Sequence, residues 1–153
     1  MTIDTKTNHS SKARSLYQRA IVIDGLNTSR WGNETVYRTL AESGTSAINA
    51  TIAVWDDYLS TLRHITDWLG WFEQFEHYIR PVHKVSDIHA AKADGRTGVI
   101  LGWQNATPIE NDLRNLRLFH SLGVRIIQVT YNERNLLGNG CYERVDDGLS
   151  KFG

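Results

Sequence analysis

The sequence predicts an α/β protein with a parallel sheet, and three observations lead to this fold class. Apolar runs rich in β-branched residues alternate along the chain with segments of helical periodicity. Most of these runs are continuous, which is typical of strands that are buried on both faces of a parallel sheet. Several end abruptly in polar residues, as strands of α/β enzymes do at their functional edge. The alternation therefore predicts right-handed crossovers and a single sheet.

Four strands are predicted from the apolar runs, at residues 20–25, 46–55, 97–105 and 124–132. Helices are predicted between and around them, at residues 34–44, 57–79, 86–95 and 107–123. In the last helix, Thr107 is expected to be the N-cap, Pro108 the first helical residue and Glu110 the partner in a capping box. Residues 133–153 are rich in Gly, Asn and Asp, and no element is predicted there.

Two architectures fit this order: an open doubly wound sheet and the first half of a (β/α)8 TIM barrel. Neither G-x-G-x-x-G nor G-x-x-x-x-G-K-[ST] is present, which favours the barrel and leaves a flavodoxin-like open sheet as the alternative. A complete barrel needs about 250 residues. We therefore predict a polar leader with a short helix at 1–19, and four βα units forming a truncated half-barrel domain at 20–153.

Composition narrows the partners and the compartment. The 17 basic residues balance 17 acidic ones without a basic cluster, so neither nucleic acid nor a membrane surface is an expected partner. The single cysteine, Cys141, excludes an internal disulfide and a cysteine-based zinc site. The N-terminus lacks the apolar segment of a secretory signal, and no apolar run approaches the ~20 residues of a membrane span. A cytoplasmic location is the resulting expectation.

Candidate site residues lie where the predicted strands end, because the carboxyl ends of parallel strands share one mouth. As catalytic candidates we take Asp24 and Tyr131; as substrate-binding candidates we take Asn27, Thr28, Gln104, Asn105 and Asn132. Asp56 and Asp57 follow the second strand.

Each candidate also has a structural interpretation. Asp24 is a candidate general base or orienting group, or else a structural carboxylate that accepts backbone N–H bonds. The amides of Gln104 and Asn105 suit a substrate carboxylate or amide, or else pair within the barrel. Tyr131 can donate to a substrate in the manner of an oxyanion stabiliser, or else it closes a layer of the barrel. Turn chemistry explains Asn27 as well as substrate binding does.

Three stretches resemble the membrane (renal) dipeptidase family of metallopeptidases. "VIDGLNTS" resembles that family's opening strand, usually D-G-H-N-D. "GVILGWQNATPIENDLRNLRLFHSLGVRIIQVTYNERNLLGNG" resembles its third and fourth strands with the helix between them, and "GLSKFG" is similar to its "GLTxFG". The resemblance runs from residue 20 to residue 153. It implies a (β/α)8 barrel with two zinc ions, and a dipeptide or small amide as substrate.

The resemblance also places the family's metal ligands, and this chain departs from them. Leu26 and Thr28 stand where the family has its first-strand His and Asp. Gln104 stands where it has the bridging Glu, and Tyr131 where it has a histidine near the substrate. The two later histidine ligands would lie beyond Gly153. Since leucine cannot ligate a metal and neutral oxygens are weak zinc donors, we expect no metal ligand and no certain cofactor in this chain.

The leading prediction is the N-terminal half of a dipeptidase-like hydrolase with its first-half zinc ligands replaced. Such a half is expected to be inactive alone. The alternative is a non-catalytic binding or assembly module, a half-barrel that forms a homodimer to cover its open sheet edges.

Overall fold

The computed structural model describes residues 5–153, with side chains from residue 11 onward. In chain order its elements are α1 (Thr5–Arg19), β1 (Ile23–Asn27), α2 (Glu34–Ser43), β2 (Ala47–Ala53), α3 (Tyr58–Gln74), β3 (Ile79–Pro81), α4 (Val85–Ala93), β4 (Thr97–Trp103), a 3₁₀ turn (Thr107–Ile109), α5 (Arg114–Ser121) and β5 (Val124–Ile127). The helix α1 covers most of the predicted leader; residues 1–4 lie outside the described part. Within the described residues, no helix is both long and apolar enough to cross a membrane.

The strands form one sheet in which every pairing is parallel, as predicted. The order is β1-β2-β4, with β3 beside the start of β4 and β5 beside its end. Register pairs Thr51 with Gly102 and Trp103 with Ile127. The C-terminal ends of β1, β2, β4 and β5 therefore lie along one side of the sheet, called here the carboxyl edge.

One face of the sheet, called here the outer face, carries the main core. Alternate strand residues point to it, and α2, α3 and α5 cover it. Trp68 of α3 and Phe119 of α5 are fully buried there, and the Phe119 ring meets Trp103 edge-on at a centroid distance of 4.7 Å. Large apolar side chains on successive helices thus fix how the helices sit on the sheet.

The opposite face, called here the inner face, carries the intervening strand residues. Near the start of the strands, Ala47 and Ile100 pack with Val82 and Ile88 in a second, smaller cluster. Toward the carboxyl edge the residues on this face become small or polar, namely Asn49, Thr51, Gly102 and Gln104. The inner face is therefore the one on which polar groups converge.

The predicted helix at 57–79 is wrong at its C-terminal end. The helix α3 stops at Gln74, and Ile79–Pro81 forms the short strand β3. Ile79 continues the three- and four-residue spacing of the apolar face of α3, but it lies in β3, where it is fully buried beside β4. A residue that precedes proline disfavours the helical region, so Arg80 favours the extended conformation.

The predicted helix at 107–123 is also wrong in its first half. Residues 107–109 form a single 3₁₀ turn, and α5 begins only at Arg114. The expected capping box is absent, because the Thr107 N–H and hydroxyl both donate to Asn105 Oδ1, at 3.2 and 3.1 Å. Glu110 has a backbone φ of 53°, which breaks the helical path.

Candidate functional site

The end of β1 is organised by Asp24. One carboxylate oxygen accepts the Leu26 N–H at 3.1 Å, and the other accepts Asn27 Nδ2 at 2.9 Å. Asn27 in turn accepts the Ser29 N–H at 3.0 Å. Both oxygens of Asp24 are thus engaged in holding the turn that follows the strand. Thr28, in the same turn, is exposed.

Gln104 follows β4 and lies at the carboxyl edge of the inner face. Its side chain is 6% exposed, and its Nε2 donates to Thr51 Oγ1 at 3.1 Å. Its backbone N–H donates to Ala53 O at 2.9 Å, which anchors it to β2. No residue from 11 to 153 hydrogen-bonds to Gln104 Oε1. Thr51 therefore fixes the direction of the amide, and its oxygen, which is not fully buried, is left able to accept a hydrogen bond.

The neighbouring Asn105 has a different role. Its Oδ1 accepts Asn135 Nδ2 at 2.7 Å in addition to the two donors of Thr107. Asn135 also donates to Val129 O at 2.8 Å, so it joins the loop after β5 to the end of β4. The Oδ1 of Asn105 therefore already accepts three hydrogen bonds, and the residue holds the loop after β5 against the end of β4.

Tyr131 and Asn132 follow β5. The Tyr131 ring packs against Trp55, which follows β2, with centroids 6.0 Å apart and planes inclined by 48°. Within the described side chains, the Tyr131 hydroxyl has no hydrogen-bond partner. Asn132 Oδ1 accepts the Cys141 thiol at 3.4 Å. The ring contact brings the ends of β2 and β5 together at the carboxyl edge.

The structure brings the seven predicted residues to one edge, but among them, within the described residues, a hydrogen bond joins only Asp24 and Asn27. No hydrogen bond within the described residues connects the Asp24–Asn27 pair to Gln104. Sequence reasoning missed Thr51 and Asn135, the two partners that orient the amides. Thr51 sits inside an apolar strand and Asn135 in a loop, so only their tertiary contacts reveal them.

A histidine on a helix also reaches this edge. His64 of α3 places Nδ1 2.8 Å from Ile52 O and 3.7 Å from Asp56 Oδ1. Asp56 accepts the Val54 N–H at 3.0 Å. Both residues border a cavity of about 320 Å³ between the end of β2 and α3, whose lining includes Trp31, Trp68 and Trp71.

The donor chemistry of the described residues does not fit a pair of zinc ions. Among those side chains, no group of three or more His, Cys, Asp or Glu could hold a metal ion. At the strand ends the available groups include amides, hydroxyls, the Asp24 carboxylate, whose two oxygens both accept hydrogen bonds, and the separate His64–Asp56 pair beside β2. Zinc prefers anionic oxygen, nitrogen or sulfur ligands.

Comparison with protein families gives one match, to the membrane dipeptidase family (peptidase family M19), over residues 10–153. That family is zinc-dependent. No curated protein sequence matches the chain significantly.

Solved structures resemble the chain in fold. An amidohydrolase from Pseudomonas aeruginosa is 38% identical, with a TM-score of 0.88, over 92% of this chain and 42% of its own. A probable dipeptidase from the same organism is 16% identical, with a TM-score of 0.74, over 87% of this chain and 40% of its own. A Rhodobacter sphaeroides metallo peptidase, liganded with a phosphinate mimic of L-Ala-D-Ala, is 18% identical, with a TM-score of 0.68, over 86% and 53%. The last two show the fold alone.

The chain thus spans about half, or less, of each of these structures. Because the relatives are TIM-barrel dipeptidases covered only in part, the prediction of the first half of a (β/α)8 barrel is confirmed.

Proposed function

Because the chain belongs to the membrane dipeptidase family, we propose that it supplies the N-terminal half of the barrel of a hydrolase acting on a dipeptide or small amide. In this proposal its strand ends bind and orient the substrate. The role proposed for each residue rests on the geometry of the carboxyl edge.

The observation that carries the proposal is the Gln104 side chain. Its amide is nearly buried, its nitrogen is held by Thr51, and its oxygen lacks a partner among the described residues. Once a bound substrate covers this oxygen, leaving it unpaired would cost about 1–3 kcal/mol, which a hydrogen bond from a substrate N–H avoids. A peptide N–H or an α-ammonium group is the donor that a dipeptide offers.

The other candidate residues take supporting roles. We assign to Tyr131 a hydrogen bond from its hydroxyl to the scissile carbonyl oxygen, since Trp55 fixes the ring and the hydroxyl lacks a partner within the described residues. Asp24 is a positioning residue, because it holds Asn27 in place. Thr28 and Asn132 border the substrate region as polar contacts, and Asn105 holds the loop after β5 in place beside it.

The proposal includes the loss of the first-half zinc ligands, with Leu26, Thr28, Gln104 and Tyr131 at family positions that normally carry ligands or a histidine. If so, adding zinc to the intact protein leaves dipeptide hydrolysis unchanged, and metal analysis of the purified protein finds fewer than two zinc ions per chain. Two bound zinc ions with zinc-dependent turnover would overturn this part of the proposal.

The test of substrate binding replaces Gln104 with leucine in the intact protein. Calorimetric titration with L-Ala-D-Ala is expected to show an affinity at least about tenfold weaker, because one buried hydrogen bond is lost. Release of alanine is measured in parallel. Gln74→Leu is the matched control, because Gln74 is an exposed glutamine at the end of α3. Equal affinity in both variants, or no binding by the unchanged protein, would contradict the proposal.

The alternative, a non-catalytic assembly module, is favoured by the two edge strands. Within the described residues β1 pairs only with β2, and β5 only with β4. Ile23 and Leu26 on β1 are 48% and 51% exposed, and Ile126 and Ile127 on β5 are 38% and 37% exposed. Unpaired edges with apolar side chains are association surfaces. Sedimentation showing a concentration-dependent dimer, with no dipeptide binding, would favour this alternative over the hydrolase.

A further inference from the structure

A second cavity lies beside the segments that follow β2, β4 and β5. It measures about 510 Å³ and is bordered by Asp57, Ala106, Thr107, Glu110 and the segment 134–137. We call it the outer cavity. Its volume is within the range of ~300–1,000 Å³ typical of small-molecule sites.

The outer cavity combines both signs of charge with apolar surface. Asp57 is anionic, because the Ser60 N–H that its carboxylate accepts at 2.8 Å holds its pKa below the usual range. Neither Glu110 nor Arg134 forms a side-chain ion pair with any residue from 11 to 153. Leu136 and Leu137 provide the apolar part of the wall. Two acidic residues and one arginine thus border the same space.

The backbone of Glu110 gives an independent reason to regard this space as a site. Its φ of 53° and ψ of −132° lie in a region that residues with a side chain rarely adopt. Glycine would be the unstrained residue at this position. Among the described residues, Glu110 is the one non-glycine residue with a positive φ, and it lies at the border of the outer cavity.

From this juxtaposition we infer that the outer cavity binds a free α-amino acid with an aliphatic side chain. The carboxylate of the ligand pairs with Arg134, its ammonium group pairs with the carboxylates of Glu110 and Asp57, and its side chain lies along Leu136 and Leu137. The proposal does not depend on the dipeptide site, because it uses none of the residues assigned to that site.

The experiment titrates the intact protein with three probes of nearly the same shape. L-Leucine carries both charges, L-leucinamide lacks the carboxylate and 4-methylpentanoate lacks the ammonium group. Calorimetry is expected to show leucine binding at least about tenfold more tightly than either analogue, because each analogue leaves one charged partner unsatisfied. Equal binding of all three, or no binding of leucine, would overturn the inference.

Variants assign the charges to residues. Arg134→Gln should remove the preference for leucine over leucinamide, and Glu110→Gln should remove the preference for leucine over 4-methylpentanoate. Arg144→Gln and Glu42→Gln, both at exposed positions outside the cavity, are the matched controls. Gln104→Leu should leave leucine binding unchanged, so failure of the dipeptide proposal and failure of this one are distinguishable.

Glu110→Gly separates a functional carboxylate from a merely structural one. Relief of the backbone strain should raise the melting temperature by a few degrees, while leucine binding weakens as in Glu110→Gln. A raised melting temperature with unchanged leucine affinity would contradict a role for Glu110 in the site.

Discussion

The two faces of the sheet are built from alternate residues of the same strands, yet they differ in almost every physical respect. On the outer face Ile48, Ala50 and Ile52 pack against helices in a continuous apolar core. On the inner face the intervening residues of the same strand are Asn49 and Thr51, and β4 contributes Gly102 and Gln104. The period of two thus lets one strand encode stability on one side and recognition on the other.

The difference predicts that substitutions on the outer face change folding most. Trp68→Ala should destabilise the protein by about 3–5 kcal/mol, because it removes a fully buried indole that contacts four other aromatic rings. Chemical denaturation measures the change in the free energy of unfolding. Leu69→Ala, at the next and half-exposed position of α3, is the control and should change it far less. Similar losses in the two variants would show that the outer face is not the main core.

On the inner face, substitutions that enlarge a side chain should reduce the free energy of unfolding more than substitutions that shorten one. A Cβ at Gly102 would clash with Asn49 Oδ1, so Gly102→Ala should cost about 1–3 kcal/mol in unfolding free energy. Asn49 cannot move freely, because its Nδ2 donates to Gly25 O at 2.9 Å across to β1.

Two further variants test this explanation. In an Asn49→Ala background, Gly102→Ala should cost less, because the clashing amide is absent. Gly70→Ala, on α3 with open space around it, should instead stabilise by about 0.5–1 kcal/mol. The same penalty for Gly102→Ala with and without Asn49 would exclude the clash as its cause.

The buried Tyr37 hydroxyl, on the outer face, makes the stability of the protein depend on pH. Burial raises the pKa of Tyr37 to about 12, and its oxygen accepts the Gly32 N–H at 2.9 Å. The unfolded chain therefore loses this proton near pH 10 while the folded protein keeps it, so stability falls between pH 10 and pH 12. Tyr37→Phe should cost about 1 kcal/mol at neutral pH and should lose stability less steeply over that range. Parallel alkaline slopes in the two proteins would contradict a buried neutral phenol.

The difference between the two faces also explains which strands could be predicted from the sequence alone. The runs that became β2 and β4 were recognisable because their outer-face residues are strongly apolar. The strand β3 was missed because Ile79 continues the helical stripe of α3, and only its burial against β4 distinguishes the two states. The capping box at Thr107 was wrong because Asn105, two residues earlier, takes both donors of Thr107.

The position of the candidate site could be predicted from the sequence, but the hydrogen bonds that orient its side chains could not. That strand ends converge follows from parallel topology, so Gln104, Asn105 and Tyr131 could be named from their place in the sequence. Thr51, Asn135 and the strained Glu110 could not, since their roles depend on contacts between distant segments or on a backbone angle that no local pattern records.

The most direct test of the central claim is a crystal structure of the intact protein with L-Ala-D-Ala bound. If Gln104 Oε1 accepts a hydrogen bond from the substrate, a nitrogen of the dipeptide will lie within about 3 Å of it, and the Gln104–Thr51 hydrogen bond will be retained. A dipeptide bound away from the inner face, with Gln104 Oε1 facing only solvent, would contradict it.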